Sequence, residues 1–112
     1  MKLNLKNPIV FFDLETTGTN IVSDRIVEIS YLKISPNGRE ESKTIRINPG
    51  MHIPDSSSAI HGIYDQAVAD CPTFREVAKE IIHDIEGCDL AGYNSNRFDI
   101  PLLAEELLRA DV

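Results

Sequence analysis

A chain of 112 residues, 42% apolar and 26% charged, is long enough for one modest hydrophobic core and too short for a second. Its formal net charge of -7 excludes a broad electrostatic grip on duplex nucleic acid, which draws on clustered Lys and Arg, so any contact with phosphate must be local. The apolar run Ile9-Val10-Phe11-Phe12 is interrupted by Asp13 far short of signal-peptide or membrane-span length, which makes a cytoplasmic location, with no membrane partner, the default expectation.

That run, without alternation, suits a strand buried on both faces at the centre of a sheet. Arg25 to Ile34, rich in Ile, Val and Tyr, and the alternating stretch Lys43 to Asn48 read as a pair of strands. Ser35-Pro36-Asn37-Gly38 between them is a hairpin turn signal, which makes the pair antiparallel. A loop region follows Pro49-Gly50, with short helical possibilities at Ser56 to Ile60 and Tyr64 to Ala69. Thr73 with Glu76 forms a capping box, and Phe74, Val77, Ala78, Ile81, Ile82 and Ile85 hold helical spacing until Gly87 ends the helix. Cys71 and Cys88 have no CxxC spacing and no His at ligand distance, and read as structural thiols.

Asp89 to Gly92 is a short strand candidate, and after a polar loop a second amphipathic helix carries Ile100, Leu103, Ala104, Leu107 and Leu108 on one face. The order β-β-β-α-β-α describes a mixed α/β sheet, three antiparallel strands followed by a helical crossover into a parallel strand. The last helix then points toward a further strand that is absent from these 112 residues.

Chemistry concentrates at the end of the first strand, in Phe12-Asp13-Leu14-Glu15-Thr16-Thr17-Gly18. Alternation puts Asp13 and Glu15 on one face of the strand, their Cα atoms roughly 6.5 to 7 Å apart. Like charges so close raise each other's pKa unless a cation joins them, and Lys6 is the only Lys or Arg within seven residues. A hard divalent ion such as Mg²⁺ or Mn²⁺ suits these oxygen donors. The plainer alternative, solvated carboxylates at a strand end followed by an ordinary turn, is weakened by their position against a buried strand, where open α/β sheets place their sites. Asp99, just before Pro101, is either an ordinary helix-start carboxylate or, if the preceding strand lies parallel beside the first, a third acidic group converging on the pair.

The Asp13-Leu14-Glu15-Thr16-Thr17-Gly18 block and the Phe98-Asp99 block resemble the first two of the three motifs of the DnaQ-like (DEDD) 3′-to-5′ exonucleases. Ala59-Ile60-His61-Gly62-Ile63 and Pro72-Thr73-Phe74 are similar to segments that the family carries between them, and the match runs from about Ile9 onward. The family includes polymerase proofreading subunits, RNase T and oligoribonuclease. The resemblance implies an RNase H-like fold, with Asp13, Glu15 and Asp99 as catalytic carboxylates that hold two Mg²⁺ or Mn²⁺ ions. It further implies Leu14, Thr16, Thr17, Gly18, His61 and Phe98 as contacts to the 3′-terminal nucleotide of a single-stranded nucleic acid, DNA favoured, and polymerase subunits as partners.

Two departures stand out. Tyr93-Asn94 precedes a longer loop where the family reads His-Asn, which weakens a nucleotide contact at Asn94. The third motif, His-x-x-x-x-Asp or Tyr-x-x-x-Asp, matches nowhere in the sequence, so neither the fourth carboxylate nor the base is supplied. The expectation is one exonuclease domain over residues 1–112, truncated before that motif and lacking the carboxy-terminal part of the fold, weak or inactive as a piece. The competing expectations are a metal- or nucleic-acid-binding module without hydrolysis, and a structural subunit completed in trans, for instance as a homodimer through the incomplete sheet.

Overall fold

The computed structural model describes residues 6–92 and 99–110. Its elements are β1 (Ile9–Thr16), β2 (Ile26–Ile34), β3 (Glu40–Arg46), α1 (Asp55–His61), α2 (Asp65–Val68), α3 (Phe74–Ile85), β4 (Asp89–Gly92) and α4 (Ile100–Arg109). They follow the expected order, with the two short helices inserted where the sequence allowed them.

Four strands form one sheet in the order β3-β2-β1-β4. β2 is antiparallel to both β1 and β3, and β4 runs parallel to β1 from Ile9↔Asp89 to Phe12↔Gly92. The mixed sheet read from the sequence is therefore the observed one. The β2–β3 turn closes with Gly38 N–H donating to the Ser35 carbonyl, at a positive φ of 86° that glycine adopts without strain. This tight turn sets Ile34 opposite Glu40, so β3 begins three residues before the alternating stretch that suggested it. Glu40, Glu41 and Lys43 are exposed there, and an edge strand tolerates such charge because it discourages pairing with another chain.

The core lies on one face of the sheet. Val10, Phe12 and Leu14 of β1 with Ile29 and Tyr31 of β2 pack against Phe74, Ala78 and Ile81 of α3 and Leu102 and Leu103 of α4. Burial of each large apolar side chain contributes about 1.5–3 kcal/mol. The intervening residues of β1 point the other way: Phe11 is 38% exposed and Asp13 is exposed. The expectation of a strand buried on both faces is corrected accordingly, because α3 and α4 both cover the same side.

β1 and β2 slip register at one point, where Glu15 pairs with Glu28 and Thr16 with Ile26. Val27 is the extra residue of this bulge, and it lets two consecutive side chains both be buried. Ile26 enters the main core, while Val27 joins Ile53, Ile63 and Val68 in a second cluster beneath α1 and α2. The bulge thus attaches the α1–α2 region beside the end of β1.

α3 carries the anticipated capping box. Glu76 N–H donates to the Thr73 hydroxyl, and Thr73 N–H to the Glu76 carboxylate at 3.0 Å. Gly87, with φ 73°, follows its end. The apolar face of α4 differs from the sequence reading: Leu102, Leu103 and Glu106 are buried, Ala104 is exposed and Leu108 is 72% exposed. A stripe through 99, 102/103 and 106 faces the sheet, with acidic residues at both ends. Among the described residues no helix is long and apolar enough to cross a membrane.

Candidate active site

Asp13 and Glu15 project from the uncovered face near the carboxy end of β1, and β4, lying parallel, carries the chain toward that same end before α4 begins. Burial pushes the Glu15 carboxyl above its ordinary value; the Asp13 charge adds to this, His61 opposes it and Glu28 adds a smaller push. Asp99, 4% exposed, is raised first by burial and then by the charges of Asp13 and Glu15. The three carboxylates the sequence singled out are therefore brought within electrostatic reach of one another.

Asp99 already has helical backbone angles, and its side chain makes no capping hydrogen bond to α4. Its side chain therefore does not cap the helix, although its charge still lies at the favourable end of the helix dipole. Nor does any ion pair among the described residues involve Asp13, Glu15 or Asp99. No three His, Cys, Asp or Glu side chains among the described residues converge tightly enough to hold one ion. These observations agree, since charges couple over several ångströms whereas ligand oxygens must sit about 2.0–2.6 Å from an ion. By chemistry the donor set fits hard divalent cations: oxygen donors, mutually repelling, with no cationic side chain paired to them among the described residues.

The turn after Glu15 is held from several sides. The Thr16 hydroxyl donates to the Gly18 carbonyl at 2.7 Å. Thr17 is 1% exposed; its hydroxyl donates to Asp24 at 2.8 Å and accepts from Arg25 N–H at 3.0 Å, while its own N–H donates to the Arg25 carbonyl. Gly18 lies so close to Asp24 that a Cβ there would come 2.5 Å from Oδ2. Leu14 turns its side chain into the core. Leu14 and Thr17 thus shape the turn from within, and Thr16 and Gly18 form its outer part.

His61, at the end of α1, sits against this turn. Ile63 N–H donates to Nδ1 at 3.1 Å, which assigns the proton to Nε2, and Nε2 then donates to the Thr16 carbonyl at 3.1 Å. The Ser57 hydroxyl donates to the neighbouring Thr17 carbonyl at 2.7 Å. Both ring nitrogens of His61 are engaged within the protein, so the imidazole buttresses the turn. Phe98 and Asn94 lie outside the described residues.

A groove of about 620 Å³ runs over the uncovered sheet face, lined by Phe11, Asp13, Ser30, Leu32, Thr44 and Ala91 among others. It reaches the carboxylates only at Asp13, and its mostly apolar walls do not make it the chemical centre.

Asp24, Ser57, Arg25, Glu106 and Arg109 all brace the site, and the sequence reading passed over each. Glu106 alone left a signal: it occupies a position where the helical period of Leu102 and Leu103 calls for an apolar residue.

The four-stranded mixed sheet with this helix arrangement is an RNase H-like fold. Exonuclease I without ligand superposes on it with a TM-score of 0.84 at 20% identity, covering 95% of this chain and 25% of that one. A moderately thermophilic exonuclease I from Methylocaldum szegediense gives 0.82 at 24% identity, with 92% and 24% covered. A family model described as exonuclease, RNase T, matches residues 10–111, and the chain belongs to that family. DNA polymerase III subunit epsilon of Buchnera aphidicola (subsp. Schizaphis graminum) is 33% identical over 93% of this chain and 47% of its own length. An epsilon-like protein of Rhodobacter capsulatus is 37% identical over 88% and 14%. The chain spans half or less of the length of these relatives.

Proposed function

We propose that this chain supplies the carboxylates and the end-binding turn of a 3′-to-5′ exonuclease acting on single-stranded DNA. The observation that carries the reading is that Asp13 and Glu15 share one face near the carboxy end of β1, toward which parallel β4 leads the chain before buried Asp99, with no Lys or Arg paired to any of them among the described residues. Asp13, Glu15 and Asp99 would hold Mg²⁺ or Mn²⁺, two ions in the complete site. When bound, such ions supply positive charge to the attacking and leaving oxygens of a phosphodiester.

The chain's own residues do the rest of the positioning. Thr16 and Gly18 present the outer surface of the turn to the terminal nucleotide, while Leu14, Thr17 and His61 hold that surface in place. Phe98, adjacent to Asp99 in sequence, is the candidate for stacking on a base. A net charge of -7 works against a long electrostatic grip on phosphates, which favours engagement of a strand end over binding along a duplex. Relatives named as polymerase III subunits support a polymerase assembly as partner. The spacing of the third family motif matches nowhere in the sequence, so hydrolysis by this chain alone is expected to be slow.

The test has two parts. Mn²⁺ titration of the purified chain should show binding that Asp13→Ala weakens at least about tenfold, loss of a ligand being at least as damaging as loss of its supporting partner. A strand of DNA labelled at its 5′ end should be shortened from the 3′ end by a longer version carrying the third motif, and much less by these 112 residues. Mn²⁺ affinity indifferent to Asp13→Ala would overturn the reading.

A further inference from the structure

Glu106 is a buried carboxylate, 2% exposed, two helical turns along α4 from Asp99 and on the same face of that helix. It accepts from Arg25 Nε at 2.8 Å, Ile26 N–H at 3.2 Å and Arg109 Nη1 at 2.8 Å. Arg109 continues the contact outward: Nη1 donates to the Asp24 carbonyl at 3.1 Å, and Nη2 to the carbonyls of Ile21, at 3.0 Å, and Val22. The far half of α4 is thereby laced to the loop that follows the Thr16–Gly18 turn.

The lacing leads straight back to the carboxylates. Arg25, whose guanidinium meets Glu106, exchanges two hydrogen bonds with Thr17 through its backbone, and Thr17 stands two residues from Glu15. Ile26, whose N–H meets Glu106, pairs with Thr16 across the bulge. One side chain therefore fixes α4, which carries Asp99, against the strand end that carries Asp13 and Glu15.

We propose that Glu106 is a positioning residue, setting the register of α4 on the Thr17–Arg25 loop and so the place of Asp99 relative to Asp13 and Glu15. The physical case is directional. Leu102 and Leu103 bury apolar surface but allow a helix to slide or roll with little loss, because hydrophobic burial has no preferred direction. Three hydrogen bonds from two guanidinium groups and one amide allow far less. A buried charge is an expensive way to stabilise a helix and an effective way to specify where it sits. The inference rests on the proposed role of the three carboxylates.

Glu106→Gln keeps the shape and removes the charge. In the intact chain, with Mn²⁺ alone as probe, it should leave the circular dichroism spectrum unchanged and weaken Mn²⁺ binding by about tenfold, the lower end of effects seen when support behind a metal ligand is lost. The effect should vanish in an Asp99→Asn background, because the position of Asp99 is what Glu106 controls. Unchanged affinity in Glu106→Gln, or an equal loss in the Asp99→Asn background, would reduce Glu106 to a structural ion pair. If Glu106→Gln does not fold, Arg109→Lys, which keeps the charge and loses the fork over Ile21, Val22 and Asp24, is read by the same two outcomes. Mn²⁺ binding that ignores Asp13→Ala would bring down the carboxylate reading and this inference with it; binding lost in Asp13→Ala but intact in Glu106→Gln would bring down this inference alone.

Discussion

Replacing Gly18 by Ala would put a methyl group 2.5 Å from Oδ2, 2.8 Å from Cγ and 2.9 Å from Oδ1 of Asp24. The short Asp24 side chain cannot swing aside freely, since its carboxylate accepts from the Thr17 hydroxyl and from Asn20 N–H, each at 2.8 Å. Moving it forfeits two hydrogen bonds to a charged group, one of them partly buried, at about 1–1.5 kcal/mol each in so open a setting. Gly18 has no left-handed backbone angle to protect, so the alanine itself returns about 0.5 kcal/mol by restricting the unfolded chain. The net loss is about 2 kcal/mol, or roughly an 8 °C fall in Tm for a chain of this length. A double-mutant cycle by thermal and urea denaturation decides it. In an Asp24→Ala background the steric conflict is gone, and Gly18→Ala should be neutral or stabilising by about 0.5 kcal/mol. A full loss in both backgrounds, or less than about 0.5 kcal/mol in the first, would refute the close-approach argument.

Two further outcomes follow from the same geometry. Glu15 and Asp99 have raised carboxyl pKa values, so without divalent ions the native state binds more protons than the unfolded one between the ordinary and the raised values. Stability should therefore fall as pH rises from about 4 through the raised values, and Asp99→Asn should flatten that slope and raise Tm at neutral pH. Melts in chelator across that range check this, and an Asp99→Asn protein less stable than wild type at pH 7 would contradict it. Tyr31, on β2, donates its hydroxyl to Asp84 near the end of α3, where Lys43 also reaches at 2.7 Å. Tyr31→Phe should cost about 1–1.5 kcal/mol in chemical denaturation while leaving Mn²⁺ affinity unaltered, and a shift in that affinity would show that the Tyr31–Asp84 contact is coupled to the carboxylates.

The elements that were legible from the sequence are those whose signal is local. The Thr73–Glu76 capping box, the Gly38 turn and the helical period of α3 are each written within about a dozen residues, and each is found as read. For the candidate site, strand alternation alone puts Asp13 and Glu15 on one face, and the chain order carries Asp99 toward the same strand end; that much of its placement is written locally. What the sequence hid depends on partners distant along the chain. Phe11 reads as buried until it is known that α3 and α4 cover the same side. Leu108 reads as core until Glu106 is seen to take the sheet-facing position. The support given to Thr17 by Asp24, and to Thr16 by His61, spans loops whose closure no periodicity records.

The bond between Glu106 and Ile26 joins positions 80 residues apart, whereas the three strands β1 to β3 meet their neighbours through short connections. Contacts that close long loops form at greater entropic cost and so later than local ones. During folding, the meander can display Asp13 and Glu15 while Asp99 is still elsewhere, and the three-carboxylate arrangement is complete only when α4 has docked. Divalent ions held by these carboxylates, as proposed, would bind the finished fold in preference to the undocked meander and would draw the equilibrium toward it.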